Sequence, residues 1–298
     1  MANAPELGKT ARREAAREAA RRMREQEKKR ARRSRIFAIV GACVATLAVV
    51  GTIGTVLIQS HRNSAQYAQV AYGGSDSAVV APEASSVTAP VANATDGIIV
   101  NNKGLGSDNP SDVHVAIYFD FQCPYCRKFE EANGAALSAL IQQGGVTLVY
   151  HPLAFLDRFS ANTLYSTRSA NAAAVVAHTA GDKFLPFIAA LYAHQPAENT
   201  PGRTDSQISD AAREAGVPDS VAATFTDTIG GTYTDSKGNQ HDGTWRQYAP
   251  WVFQQTAKAE SDFGANFGTP TVLINGQRFT GDLYTNGPLE DAIRAAQS

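Results

Sequence analysis

Two cysteines three residues apart, Cys123 and Cys126, stand where an extended run hands over to a helical one, and this junction narrows the possible folds more than any other feature. Val113 to Phe121 alternates apolar side chains as a strand does. Arg127 to Gln142 carries Phe129, Leu137, Leu140 and Ile141 at helical intervals before Gly144-Gly145 ends the run. Val146 to Tyr150 is again strand-like. Strand, cysteine pair, helix and strand make a βαβ unit, which implies a parallel sheet. The 298-residue chain has only one other cysteine, Cys43, so a framework of structural disulfides is excluded and the close pair is expected to be chemical.

Upstream of this unit the chain changes character three times. Residues 1–35 sum to +8, leaving −9 for the remainder of a chain whose net charge is −1. Glu14, Glu18, Glu25 and Glu27 alternate with Arg and Lys at spacings suited to helical ion pairs, and no aromatic side chain precedes Phe37, so no nucleic-acid partner is expected. Ile36 to Ile58 carries no charge and is long enough, at about 1.5 Å per residue, to span a hydrocarbon core of about 30 Å. It is longer than the apolar region of a cleaved signal peptide, which favours an uncleaved signal anchor. Arg30, Arg32, Arg33 and Arg35 flank its amino end, so the amino terminus is expected in the cytoplasm and everything after residue 59 outside. Cys43, in mid-segment among small apolar residues, is expected to act as one of them. Residues 59–95, rich in Ala, Ser, Gly, Val and Pro, are expected to form a flexible linker.

The remaining domain, 96–298, opens with a short strand at Gly97 to Val100. Its middle, about 160–266, reads as a helical insertion: Phe184, Phe187, Ile188 and Leu191 share one face, and Thr204 with Gln207 forms a capping box before Ile208 to Ala215. Gly230 to Gly243 is polar and glycine-rich and is read as a loop. Thr271 to Ile274 is a strand after Gly268-Thr269-Pro270, Asn275-Gly276 signals a two-residue hairpin, and a last helix runs from about Pro288 to Ala296.

Phe121-Gln122-Cys123-Pro124-Tyr125-Cys126, the helical block after the next strand, and the late Gly268-Thr269-Pro270-Thr271 with Asn275-Gly276 together resemble the DsbA-like bacterial thiol–disulfide oxidoreductases of the thioredoxin superfamily. The resemblance covers residue 96 to the end. It implies an α/β thioredoxin fold with a helical insertion, here preceded by a single transmembrane helix. It also implies that Cys123 attacks, Cys126 resolves, and Pro270 forms a cis peptide beside them. Pro124, Tyr125, Thr269 and Pro270 would then meet the substrate, with no cofactor and no metal. Elementary chemistry supports the roles of the cysteines. A cysteine at a helix amino terminus faces the positive end of the helix dipole, which stabilises its thiolate, and Arg127 and Lys128 stand nearby. Cys126, three residues on, lies on the same face, where it can displace a mixed disulfide. Pro124 is tolerated in the first turn because its missing N–H would have had no helical partner.

One departure stands out. Such proteins often carry a buried acid six residues before the first cysteine, and here that residue is Ile117. Asp120 falls on the opposite parity, so proton transfer at Cys126 is expected to rely on water. His151, before Pro152, is read as structural. The function expected is donation of disulfides to exported proteins, with a membrane redox partner that reoxidises the pair. A membrane-anchored reductase or isomerase, a thiol-based metal-binding module and a redox-inert binding module remain open. A cytoplasmic glutaredoxin, which shares Cys-Pro-Tyr-Cys, is disfavoured by the apolar segment.

Overall fold

Strand β3 (Val113–Phe119) lies in the interior of the main sheet. Every second residue of it, from Val113 to Phe119, is fully buried, because side chains of a strand point alternately to its two faces. It pairs in parallel with β4 (Val146–Pro152) and antiparallel with β7 (Thr271–Ile274). The computed structural model describes residues 9–74, 79–83, 86–91 and 97–298. It divides the chain into Met1–Gln59 and Ser60–Ser298.

Within the second part, β1 (Ile98–Asn101) lies antiparallel to β4, β2 (Gly104–Leu105) flanks β1, and β8 (Gln277–Arg278) flanks β7. The six-stranded order is β2-β1-β4-β3-β7-β8. Helix α2 (Pro124–Gln143) makes the crossover between β3 and β4 and turns its buried side, Phe129, Leu137, Leu140 and Ile141, to the core. Gly144 ends it with φ of 83°, donating its N–H to the carbonyls of Leu140 and Ile141. The two-residue turn Asn275-Gly276, with φ of 48° and 79°, joins β7 to β8 as the sequence predicts. Helix α8 (Pro288–Ala296) closes the chain beside α2.

Between β4 and β7 come α3 (Tyr165–Thr179), α4 (Phe184–Ala193), α5 (Asp205–Glu214), the short α6 (Asp219–Ala222) and α7 (Ala249–Phe263), the expected helical insertion. The Thr204–Gln207 capping box is formed in both directions. The stretch read as a loop at 230–243 is different: it is a two-stranded antiparallel hairpin, β5 (Thr228–Thr234) and β6 (Gln240–Arg246). Its strands lack an alternating apolar pattern because Gly231 and Gly243 serve as a bed for the Trp245 ring, which a Cβ on either would approach to 3.0 and 2.6 Å.

The residues expected to form a flexible linker also depart from expectation. Helix α1 (Lys9–Gln66) runs into them, and Tyr67, Val70 and Tyr72 are buried. Asn63 donates to the Ala161 carbonyl at 2.8 Å, Arg168 stacks on the Tyr67 ring at 4.6 Å, and Val87, Ala89 and Val91 pack on the main core. The average composition of the segment is that of a linker, but its few large side chains find buried partners far along the chain.

In Met1–Gln59 the expected ion pairs occur on α1, Arg21 with Glu25 at 3.4 Å and Arg22 with Glu18 at 4.0 Å; both are exposed and contribute little stability. Among the described residues no helix is long and apolar enough to cross a membrane. The segment Ile36–Ile58 expected to do so includes the side chains of 36, 38–40 and 42–44, Cys43 among them, which lie outside the described residues.

Candidate active site

The chain leaves β3 at Phe119, turns through Asp120–Gln122, and enters α2 at Cys123, whose φ of −74° and ψ of 116° place it as the N-cap. Pro124 occupies the first helical turn. Cys123 is 4% exposed and Cys126 1%, and both thiols are free. Gln195 from the helical insertion donates to the carbonyls of Phe121 (3.0 Å) and Cys123 (2.8 Å), fixing the approach to the helix.

The late loop reaches the same place. The Cys123 thiol donates to the Thr269 carbonyl at 3.2 Å, and Thr269-Pro270 is a cis peptide. The structure thus brings together Cys123, Cys126, Thr269 and Pro270. Pro124 and Tyr125 lie on the exposed rim of the site.

The two thiols are driven apart electrostatically. The hydrogen bond from Cys126 is the largest influence on Cys123; with the Thr269 side chain and the backbone N–H groups of Cys126 and Tyr125 it outweighs burial and lowers the Cys123 pKa to about 6. Burial, then the same hydrogen bond and the neighbouring charge, push Cys126 up. At pH 7 about nine in ten Cys123 side chains are therefore thiolate while Cys126 keeps its proton. The basic neighbours do not supply this effect: Arg127 is engaged with Glu131 at 2.7 Å, and the Lys128 ammonium sits 5.2 Å over the Tyr125 ring.

Acids near the pair differ from the expectation based on Ile117. Asp120 is wholly buried and accepts from the N–H groups of Gln122 and Leu156, both at 2.8 Å, and from the Ser166 hydroxyl at 2.7 Å. Burial raises its pKa to about 7 despite those bonds. Its carboxylate ties the turn before Cys123 to the insertion. Glu130 lies one helical turn after Cys126, on the same side of α2, and burial raises it also to about 7. Sequence reasoning missed Glu130; its spacing of four from Cys126 was the available signal. Tyr284 was missed as well, since its loop carries no motif. Asn133 of α2 donates to the Leu283 carbonyl at 2.9 Å, which holds the Tyr284 ring 5.7 Å from that of Tyr125. The two tyrosines are 44% and 53% exposed, an aromatic rim on an otherwise closed site.

His151 is buried, stacked on Tyr118 at 4.0 Å, and hydrogen-bonded through Nδ1 to Gln255 at 3.0 Å, a packing role. Among the described residues no group of three or more His, Cys, Asp or Glu could hold a metal ion.

A thioredoxin-like fold with a Cys-x-x-Cys pair at the strand-to-helix junction defines the class. Residues 104–292 match the family model described as Thioredoxin, and the chain belongs to that family. Among solved structures it is similar to MdbA, a thiol-disulfide oxidoreductase from Actinomyces oris, at 20% identity and a TM-score of 0.51, covering 74% of this chain and 98% of that one. BdbD of Bacillus subtilis is 15% identical with a TM-score of 0.50, covering 71% and 98%. Both are likenesses of fold. The reduced DsbA of Mycobacterium tuberculosis is 26% identical, with a TM-score of 0.48 and coverage of 68% and 100%. A comparison with curated proteins gave no match.

Proposed function

We propose that this protein is a thiol–disulfide oxidoreductase that donates disulfides to exported proteins, held at a membrane by Ile36–Ile58 with its catalytic domain outside the cytoplasm. The observation that carries the direction is the opposite displacement of the two thiols. In the oxidised enzyme a client thiolate attacks Cys123 Sγ; the Cys123–Cys126 bond breaks, and Cys126 leaves with the electron pair. Because Cys126 is a high-pKa thiol, its departure needs a proton. That proton is drawn from water, since the Glu130 carboxyl, one turn further along α2, lies beside Gly134 and not at Cys126. A second client thiolate then attacks the client sulfur of the mixed disulfide and expels Cys123. With a pKa of about 6 Cys123 is a good leaving group, so client release as a disulfide is fast. Two electrons have passed to the enzyme, and a membrane partner that accepts electrons would restore the disulfide.

The reverse direction is served less well. A reductase must deprotonate Cys126 to release its product, and burial opposes that. An extended client chain fits beside Cys123, between the Thr269 backbone and the Tyr125–Tyr284 rim. The test is trapping: Cys126→Ser should accumulate mixed disulfides with exported proteins and Cys123→Ser far fewer. Equal trapping by both variants would overturn the assignment.

A further inference from the structure

We propose that the cavity between α2, β4 and α4 binds an ammonium group carried on an unbranched aliphatic chain, at a site that takes no part in disulfide exchange. It stands on the side chains of the cavity alone and does not depend on the direction of the redox chemistry.

Glu130, Gly134 and Ser138 recur at intervals of four, so they form a stripe along one face of α2. Tyr150 of β4 and Leu185, Pro186, Ile188 and Ala189 of α4 complete a cavity of about 350 Å³. Gly134 makes room for the acid. A Cβ at that position would come to 2.5 Å from Glu130 Oε1 and 2.9 Å from its Cδ, so the carboxyl lies back over the bare backbone of the helix. Glycine weakens a helix interior, and here it opens the space that the carboxyl fills.

The Glu130 carboxyl and the Ser138 and Tyr150 hydroxyls belong to residues that line the cavity, and none of the three has a hydrogen bond or ion pair among the described residues. Tyr150 is only 5% exposed, and it lies close enough to Glu130 for the two to interact electrostatically. The neighbouring cations are engaged elsewhere: Arg127 with Glu131 at 2.7 Å, Lys128 over the Tyr125 ring, and Lys183 with Asp182 at 2.9 Å. The titratable groups that face Glu130, Tyr150 of β4 and Tyr192 of α4, are phenols pushed up by burial and neutral at pH 7. Without a counter-charge, burial holds the carboxyl near pKa 7.

The lining selects the class of ligand. Three acceptor groups match the three N–H donors of an ammonium, and a phosphate would find no cationic side chain. A single carboxylate falls short of a metal site, and no cluster of three such ligands exists among the described residues. The aliphatic wall from α4 covers methylenes, which a bare inorganic cation does not carry.

The test titrates n-butylammonium chloride into the full-length protein in sodium phosphate and reads binding by NMR. Wild type should bind about tenfold more tightly at pH 8 than at pH 6, because Glu130 goes from about one-tenth to about nine-tenths ionised while the amine stays protonated. Glu130→Gln should lose about tenfold or more in affinity at pH 8, and the pH dependence with it. Ser138→Ala, which removes one acceptor, should lose about threefold. Glu131→Gln, which neutralises the exposed neighbouring acid, should bind as wild type does. A blocked lysine tripeptide that binds as tightly as n-butylammonium would identify the ligand as a lysine side chain of another protein, and binding of n-butylammonium alone would identify a free alkylamine. No binding to wild type, equal affinity in Glu130→Gln, equal loss in Glu131→Gln, or displacement of the amine by an equal concentration of potassium would overturn the proposal.

Discussion

Replacing Cys126 by alanine tests the electrostatic account at its source, because the hydrogen bond from Cys126 is the largest influence lowering Cys123. The drop from 9.0 to about 6 corresponds to roughly 4 kcal/mol in favour of the thiolate, at about 1.4 kcal/mol per tenfold change in ionisation. If the Cys126 thiol supplies a third of that, its loss moves the Cys123 inflection to about 7. The thiolate share at pH 7 then falls from about nine-tenths to about one half. Thiolate absorbance and the rate of iodoacetamide alkylation, each followed against pH, read the inflection directly. Cys126→Ser keeps a donor at the position and should hold the inflection closer to 6 than Cys126→Ala does. An alanine variant that still titrates near 6 would refute the reasoning and shift the effect to the backbone N–H groups and the helix dipole.

Glu130→Gln tests the buried acid of α2, whose pKa burial raises to about 7. The same variant should alter stability with pH. The folded pKa of Glu130 is raised, so its contribution to stability is fully present below the unfolded pKa near 4.5 and is lost as pH rises through about 7. Glu130→Gln should therefore gain about 1 kcal/mol or more over wild type in denaturant titrations at pH 8 relative to pH 4; an equal effect at both would contradict it. Tyr284→Ala should slow oxidation of an unfolded protein client about fivefold while leaving dithiothreitol unaffected, because only the larger substrate spans the aromatic rim. Loss with both substrates would make Tyr284 a structural residue.

Local chemistry was legible in the sequence. Pro124 in a first turn, the Thr204–Gln207 box and the Asn275-Gly276 turn each satisfy backbone groups within a few residues, and all three form as read. The meeting of Cys123 with Thr269, across most of the domain, was reached only through the family resemblance. The hairpin at 228–246 was missed because its stabilising contacts are long-range, Trp245 lying over glycines and against Tyr72 from before the domain. The linker was misjudged for the same reason, since Tyr67 and Tyr72 gain their burial from α3 and the hairpin. Asp120 was placed by strand parity, but β3 ends at Phe119, so parity no longer governs it. Glu130 reads as one more surface acid of α2 until the packing around it is known.

The reduction potential of the full-length protein, equilibrated with glutathione buffers and read by counting free thiols, bears most directly on the central claim. A thiolate held near pKa 6 stabilises the reduced pair, so the account predicts a value toward the oxidising end of the family range, nearer about −120 mV than about −270 mV. A potential near −270 mV would contradict disulfide donation and favour a membrane-anchored reductase.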